Sequence, residues 1–225
     1  MTNTLHRAGS ADSFHDDYVI FAIASRGKNE QGALEKLKEF LRLAVQFGPV
    51  NLGDARNGGA LRPCKQMTPL AHWGRDTTCD FQAVIDGFDH ITTASAVFDD
   101  RGKAEDFLKA VKERDFGLSI NMSTSVEGAD QCCHAAGVAR HSVGYSLGFE
   151  GSTEHLPNNH VLMLSTMCGH GMVANSLAKK MIDWVKEGRR SPEEAASYLT
   201  RFCSCGVYNP VRAARILEEA RVSTK

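Results

Sequence analysis

Three cysteines in two short glycine-bearing turns are the residues of this chain best suited to chemistry. Cys168 stands in Thr166-Met167-Cys168-Gly169-His170-Gly171-Met172; Cys203 and Cys205 stand in Cys203-Ser204-Cys205-Gly206-Val207-Tyr208-Asn209-Pro210. Helical patterns run between the two turns, so a pair of antiparallel helices would carry the chain out and back. Cys168 and Cys203, 35 positions apart, can then meet. The pattern also sets Cys168 just before one helix start and Cys205 a few residues before another, where the partial positive charge favours a thiolate. Three explanations stay open. A structural zinc site wants four tight ligands and would need His170 as the fourth. An iron–sulfur cluster on three cysteines leaves one iron open for chemistry. Plain buried thiols are the third, because free cysteine packs like a small apolar residue.

Other residues of chemical type are weaker candidates. Cys132-Cys133-His134 falls on a helix, where neighbouring side chains point about 100° apart, so at most one cysteine faces a common site. Ala55-Arg56-Asn57-Gly58-Gly59 offers backbone N–H groups beside an arginine, suited to a small anion, but Asn-Gly-Gly is also an ordinary tight turn. Arg62, Cys64, Lys65, His72, Arg75 and Cys79 follow in a segment without periodicity, which in a compact domain is often functional. There is no Walker loop, no GxGxxG after a strand, no HExxH and no GxSxG.

The elements that must position these residues alternate in type. Residues 1–16 read as a flexible arm. Asp17 to Ser25 is a near-continuous apolar run, expected for a strand buried on both faces. Asn29 to Phe47 is an amphipathic helix stopped by Gly48-Pro49. Strands are expected at Val50–Asp54, Ile91–Phe98, Gly117–Ser123, Arg140–Phe149 and Val161–Thr166. Helices are expected at Lys103–Glu113 and Glu127–Ala136, and after Gly171. Ser191-Pro192-Glu193-Glu194 holds every part of a helix start: serine caps, proline sits first, and a glutamate reaches back. Asn209-Pro210 caps the last helix. The fold class that follows is α/β (α+β), with one mixed sheet, packed helices and a C-terminal helical subdomain carrying the cysteine turns. The expected division is an α/β sandwich over 17–166 and a helical, cluster-binding subdomain over 167–225.

Composition bounds the function. The chain has 225 residues, 42% hydrophobic and 24% charged, with formal net charge −1. No basic field is available for nucleic acid, and no apolar stretch is long enough for a membrane span. A cytoplasmic protein is expected. Seven cysteines without an export signal point away from a disulfide scaffold and toward metal binding or catalysis. A symmetric homodimer is the default expectation.

Taken together, Cys168-Gly169-His170-Gly171-Met172, Ser191-Pro192-Glu193-Glu194-Ala195-Ala196 and the 203–210 turn resemble a family of small proteins of methanogenic archaea. Phe47-Gly48-Pro49-Val50-Asn51-Leu52-Gly53-Asp54 adds to the likeness, which covers most of the chain. The resemblance implies reductive thiolation of sulfoacetaldehyde to coenzyme M, the activity proposed for that family, with a bound [4Fe-4S] cluster. It implies Cys168, Cys203 and Cys205 as cluster ligands, an external electron donor, and a small anionic substrate. The sulfonate would be met by Arg56, Arg62, Lys65 or Arg75, and the proton donor would be His170, then His134, then His72. Two alternatives remain: another cluster enzyme, such as a desulfidase or dehydratase, and a metal or cluster carrier protein.

Overall fold

The computed structural model describes residues 5–61, 80–144, 148–203 and 205–223. Its centre is a five-stranded sheet of β1 (Tyr18–Ile23), β2 (Asn51–Asp54), β3 (Gly58–Gly59), β4 (Ala94–Phe98) and β5 (Ser119–Ser123), in the order β3-β2-β4-β1-β5. Eight α-helices fall among the described residues: α1 (Ala33–Val45), α2 (Phe81–Asp86), α3 (Arg101–Arg114), α4 (Val126–Ala135), α5 (Asn159–Ser165), α6 (Asn175–Lys186), α7 (Pro192–Thr200) and α8 (Pro210–Val222). The fold is α+β.

Every strand pair is antiparallel, where a mixed sheet was expected. The reason is interleaving. In both β1-α1-β2 and β4-α3-β5 the crossover skips a place, which a strand of the other unit fills. Strand–helix alternation reads as adjacent parallel strands, yet here it builds two interlocked split β-α-β units.

β1 explains why both faces of the sheet are covered. Tyr18, Ile20 and Ala22 point into a core with α1, α3 and α4, where Phe40, Phe98 and Phe107 pack in edge and tilted contacts. Val19, Phe21 and Ile23 point the other way, into a core shared with α5 to α8. Period-2 alternation sends successive residues to opposite faces, so an unbroken apolar run marks a strand covered twice.

Local chemistry sets the helix starts. Asp100, Ser125 and Asn158 cap α3, α4 and α5 by accepting from Lys103 N, Gly128 N and Val161 N. Ser191 and Glu194 complete the capping box of α7. Residues 161–165, expected as strand, form most of α5: Val161, Leu164 and Met167 recur at helical spacing behind the Asn158 cap. The strand expected over Arg140–Phe149 is also absent from the described residues there, which are exposed coil with no strand beside them.

Candidate metal centre

The site forms where the helical layer meets the sheet. Cys168 lies three residues past the end of α5, and Cys203 three residues past the end of α7. Both therefore enter from helix C-termini. The start expected just after Cys168 falls only at Asn175, so no helix N-terminus favours its thiolate. Cys205 then leads through Gly206 toward Asn209, the cap of α8.

A row of small residues across the sheet receives the second turn. Gly59, Gly53 and Ser95 are register partners on β3, β2 and β4. Gly206 has φ +71° and lies against the Cα atoms of Gly53 and Gly59; a Cβ there would collide with both. Ser95 Oγ donates to Gly53 O at 3.3 Å and lies 3.5 Å from Cys205 O. Buried Asn51 donates to Tyr208 O at 2.9 Å. The first turn is fixed by residues 5–8: Gly169, at φ +79°, packs under Leu5 and His6, and Ala8 N donates to Thr166 Oγ1 at 2.9 Å.

These supports bring the three cysteines together. All three are buried, and the sulfurs of Cys203 and Cys205 are 3.4 Å apart. Cys168 Sγ, Cys205 Sγ and a ring nitrogen of exposed His170 lie within 4.8 Å of one another, a group that could bind a metal. Hydrogen bonds from Cys203 and Cys205, with smaller help from His170, hold the Cys168 thiol down to about 2 against the opposing effect of burial. The Cys203 thiol is pushed up, to about 12, chiefly by Cys168, and the Cys205 thiol rises for the same reason. Hydrogen bonding within the trio thus favours a thiolate at Cys168 and thiols at Cys203 and Cys205.

The surroundings are rich in buried donors. Arg212 Nη1 pairs with buried Asp17 at 2.9 Å and reaches Met167 Sδ at 3.6 Å. Arg7 also pairs with Asp17 and gives Nη1 to Ser123 O at 3.1 Å. Both guanidiniums stack on Phe14. Burial, then Arg212, lowers the Arg7 pKa, while the charge on Cys168 raises it. Arg7 Nε, Arg212 Nε and Tyr208 Oη are buried with no hydrogen-bond partner among the described residues. Two arginines against one aspartate leave a net positive charge beside the sulfurs, which fits an anionic, sulfur-rich centre.

The other expected site residues stand apart from this trio. Asn57 spends its amide on Asp54 Oδ2, Gly87 O and Asp89 Oδ1, at 2.7, 2.9 and 3.1 Å. Arg56 is exposed, and its backbone N–H goes to Asp54 Oδ1. His134 is exposed on α4, whose Cys132 packs into the core on the opposite face of the sheet. Arg62, Cys64, Lys65, His72, Arg75 and Cys79 lie outside the described residues. A cavity of about 780 Å³ opens along β5, with Leu5 and Arg7 in its wall and none of the three cysteines.

Comparison with family models, with curated proteins and with solved structures returned no match. The geometry therefore carries the reading. Sequence reasoning missed Arg7, Asp17, Asn51, Tyr208 and Arg212. The signal available was polar character beside apolar runs: Asp17 before β1 and Asn51 beside Leu52.

Among the described residues no helix is long and apolar enough to cross a membrane.

Proposed function

We propose that this protein is an iron–sulfur enzyme that inserts sulfur into a small sulfonated aldehyde, converting sulfoacetaldehyde to coenzyme M. The observation that carries the reading is the meeting of three buried cysteine sulfurs beneath an exposed histidine, amid buried cationic groups and donors without a partner among the described residues. The motif resemblance of the two cysteine turns supplies the substrate.

In the overall reaction a carbon–sulfur bond forms from a sulfide donor and the carbonyl oxygen leaves as water. Two electrons from an external donor and two protons complete the thiol. A bound [4Fe-4S] cluster would supply an iron with a vacant position and a store for those electrons. Cys168, Cys203 and Cys205 would hold such a group, and the row Gly59, Gly53, Ser95 keeps the backbone of the second turn from shifting. Arg7 and Arg212 offset its negative charge. His170, at the exposed edge, carries protons between solvent and the forming thiol. Burial of all three sulfurs favours an enzyme over a carrier, which needs an exposed cargo.

A second reading has a specific observation behind it. Two sulfurs on one zinc tetrahedron stand about 3.8 Å apart, close to the 3.4 Å between Cys203 and Cys205. With His170 as fourth ligand, the same residues make a closed structural zinc site. A cubane needs its sulfurs farther apart, so loading it requires the cysteine side chains to rotate apart on their fixed turns.

Anaerobic purification followed by iron, acid-labile sulfide and zinc analysis separates the two. Four irons with matching sulfide and a brown chromophore are expected. The loaded protein should then form thiol from sulfoacetaldehyde, sulfide and a reductant. A colourless protein with one zinc refutes the cluster reading.

A further inference from the structure

The orphaned hydroxyl of Tyr208 is the least explained polar atom near the sulfurs. Its ring is fully buried in the same packed cluster as Met167, Cys168, Cys203 and Cys205. Its backbone is pinned on both sides: the carbonyl accepts from Asn51, and the next residue caps α8 while donating to Asp16 O and Asp17 Oδ1. The ring therefore cannot swing out to find water. Yet among the described residues the hydroxyl has no partner, and no cysteine sulfur there takes its hydrogen bond. A buried donor left unpaired is costly, and native proteins almost always supply an acceptor.

We infer that the Tyr208 hydroxyl donates a hydrogen bond to a non-cysteine sulfur of the centre held by Cys168, Cys203 and Cys205, and thereby raises its reduction potential. The inference rests on the cluster reading above. Inorganic sulfide offers lone pairs beyond those of the cysteines, whereas a zinc ion offers none. Donation to sulfur spreads negative charge and makes the oxidised state easier to reduce. Burial, and then the charges of Cys168 and Cys203, push the phenol pKa well up, so the group remains a neutral donor.

The test compares wild type with Tyr208→Phe, both loaded anaerobically. Iron and labile sulfide are counted, the midpoint potential is titrated, and resonance Raman spectra are taken in H2O and D2O. Equal loading is expected, with a more negative potential in the variant and loss of a deuterium-sensitive shift in the iron–sulfur stretches. An equal potential in a fully loaded variant overturns the inference and leaves the cluster reading standing. Zinc in the wild type overturns both. Should Tyr208→Phe fail to fold, site-specific 3-fluorotyrosine at 208 keeps the ring and strengthens the donor. The potential should then move positive, and an unchanged value overturns the inference.

Discussion

Three sulfurs buried in contact cannot each hold a full negative charge, and the trio divides its protons unequally. Cys168 is held down to about 2, Cys203 is pushed up to about 12, and Cys205 rises as well. Metal ligation needs all three deprotonated. Loading the metal-free protein near pH 7 should therefore release about two protons per centre rather than three, measurable by titration in weak buffer. The same shifts set a pH window. The Cys203 pKa is raised above the ordinary thiol value of 9.0, so its contribution to stability is intact below 9 and lost as pH climbs toward 12. The depressed Cys168 contributes above 9 and loses that contribution as pH falls toward 2. Denaturant midpoints of the metal-free protein should drop between pH 9 and 12, a loss the loaded protein escapes. Cys168→Ala should abolish metal binding, whereas Cys132→Ala, on the opposite face of the sheet, should leave metal content unchanged and cost about 1 kcal/mol.

Secondary-structure elements hold the turns through two caps of different weight. Ser191 caps α7 at an exposed start, so Ser191→Ala should cost about 1 kcal/mol. Asn209 caps α8 and also donates to Asp16 O and Asp17 Oδ1, wholly buried. Asn209→Ala should cost roughly 2–4 kcal/mol, because it strands buried partners as well as a helix end. Gly206→Ala adds a strained positive φ to a collision with Gly53 and Gly59; about 2–4 kcal/mol is expected, read from chemical denaturation. The capping box and β1 were legible in the sequence because their signals are local: four consecutive residues in one case, an unbroken apolar run in the other. Helix α5 was not, since Val161 to Thr166 is short and β-branched at both ends, and only the Asn158 cap decided it. The cysteine turns were legible as a pair, and so was the helix end before Cys203, but the approach of Cys168 from a helix C-terminus was not, because it depended on α5.

At the scale of the whole molecule, a buried ion cluster joins distant parts of the chain. Asp17 compensates Arg7 and Arg212, whose side chains are almost completely buried. Asp17→Asn removes the carboxylate that both enclosed guanidiniums pair with, and a loss of about 3–5 kcal/mol is expected in denaturant titration. Nothing local in the sequence marks this trio. Arg7 sits in a polar stretch that read as a flexible arm, yet its guanidinium is enclosed between Phe14, Ser123 and Asp17. The antiparallel interleaving of the strands was hidden in the same way, being a property of which units neighbour one another.

The grip of Arg212 on Ala8 and Ser13 spans about 200 positions, and that separation has a bearing on biogenesis. Translation releases the early segment long before its clasp exists, so the candidate metal centre stays unfinished until α8 has cleared the ribosome. Under the cluster reading proposed above, delivery of iron and sulfide is then expected only after α8 has been synthesised.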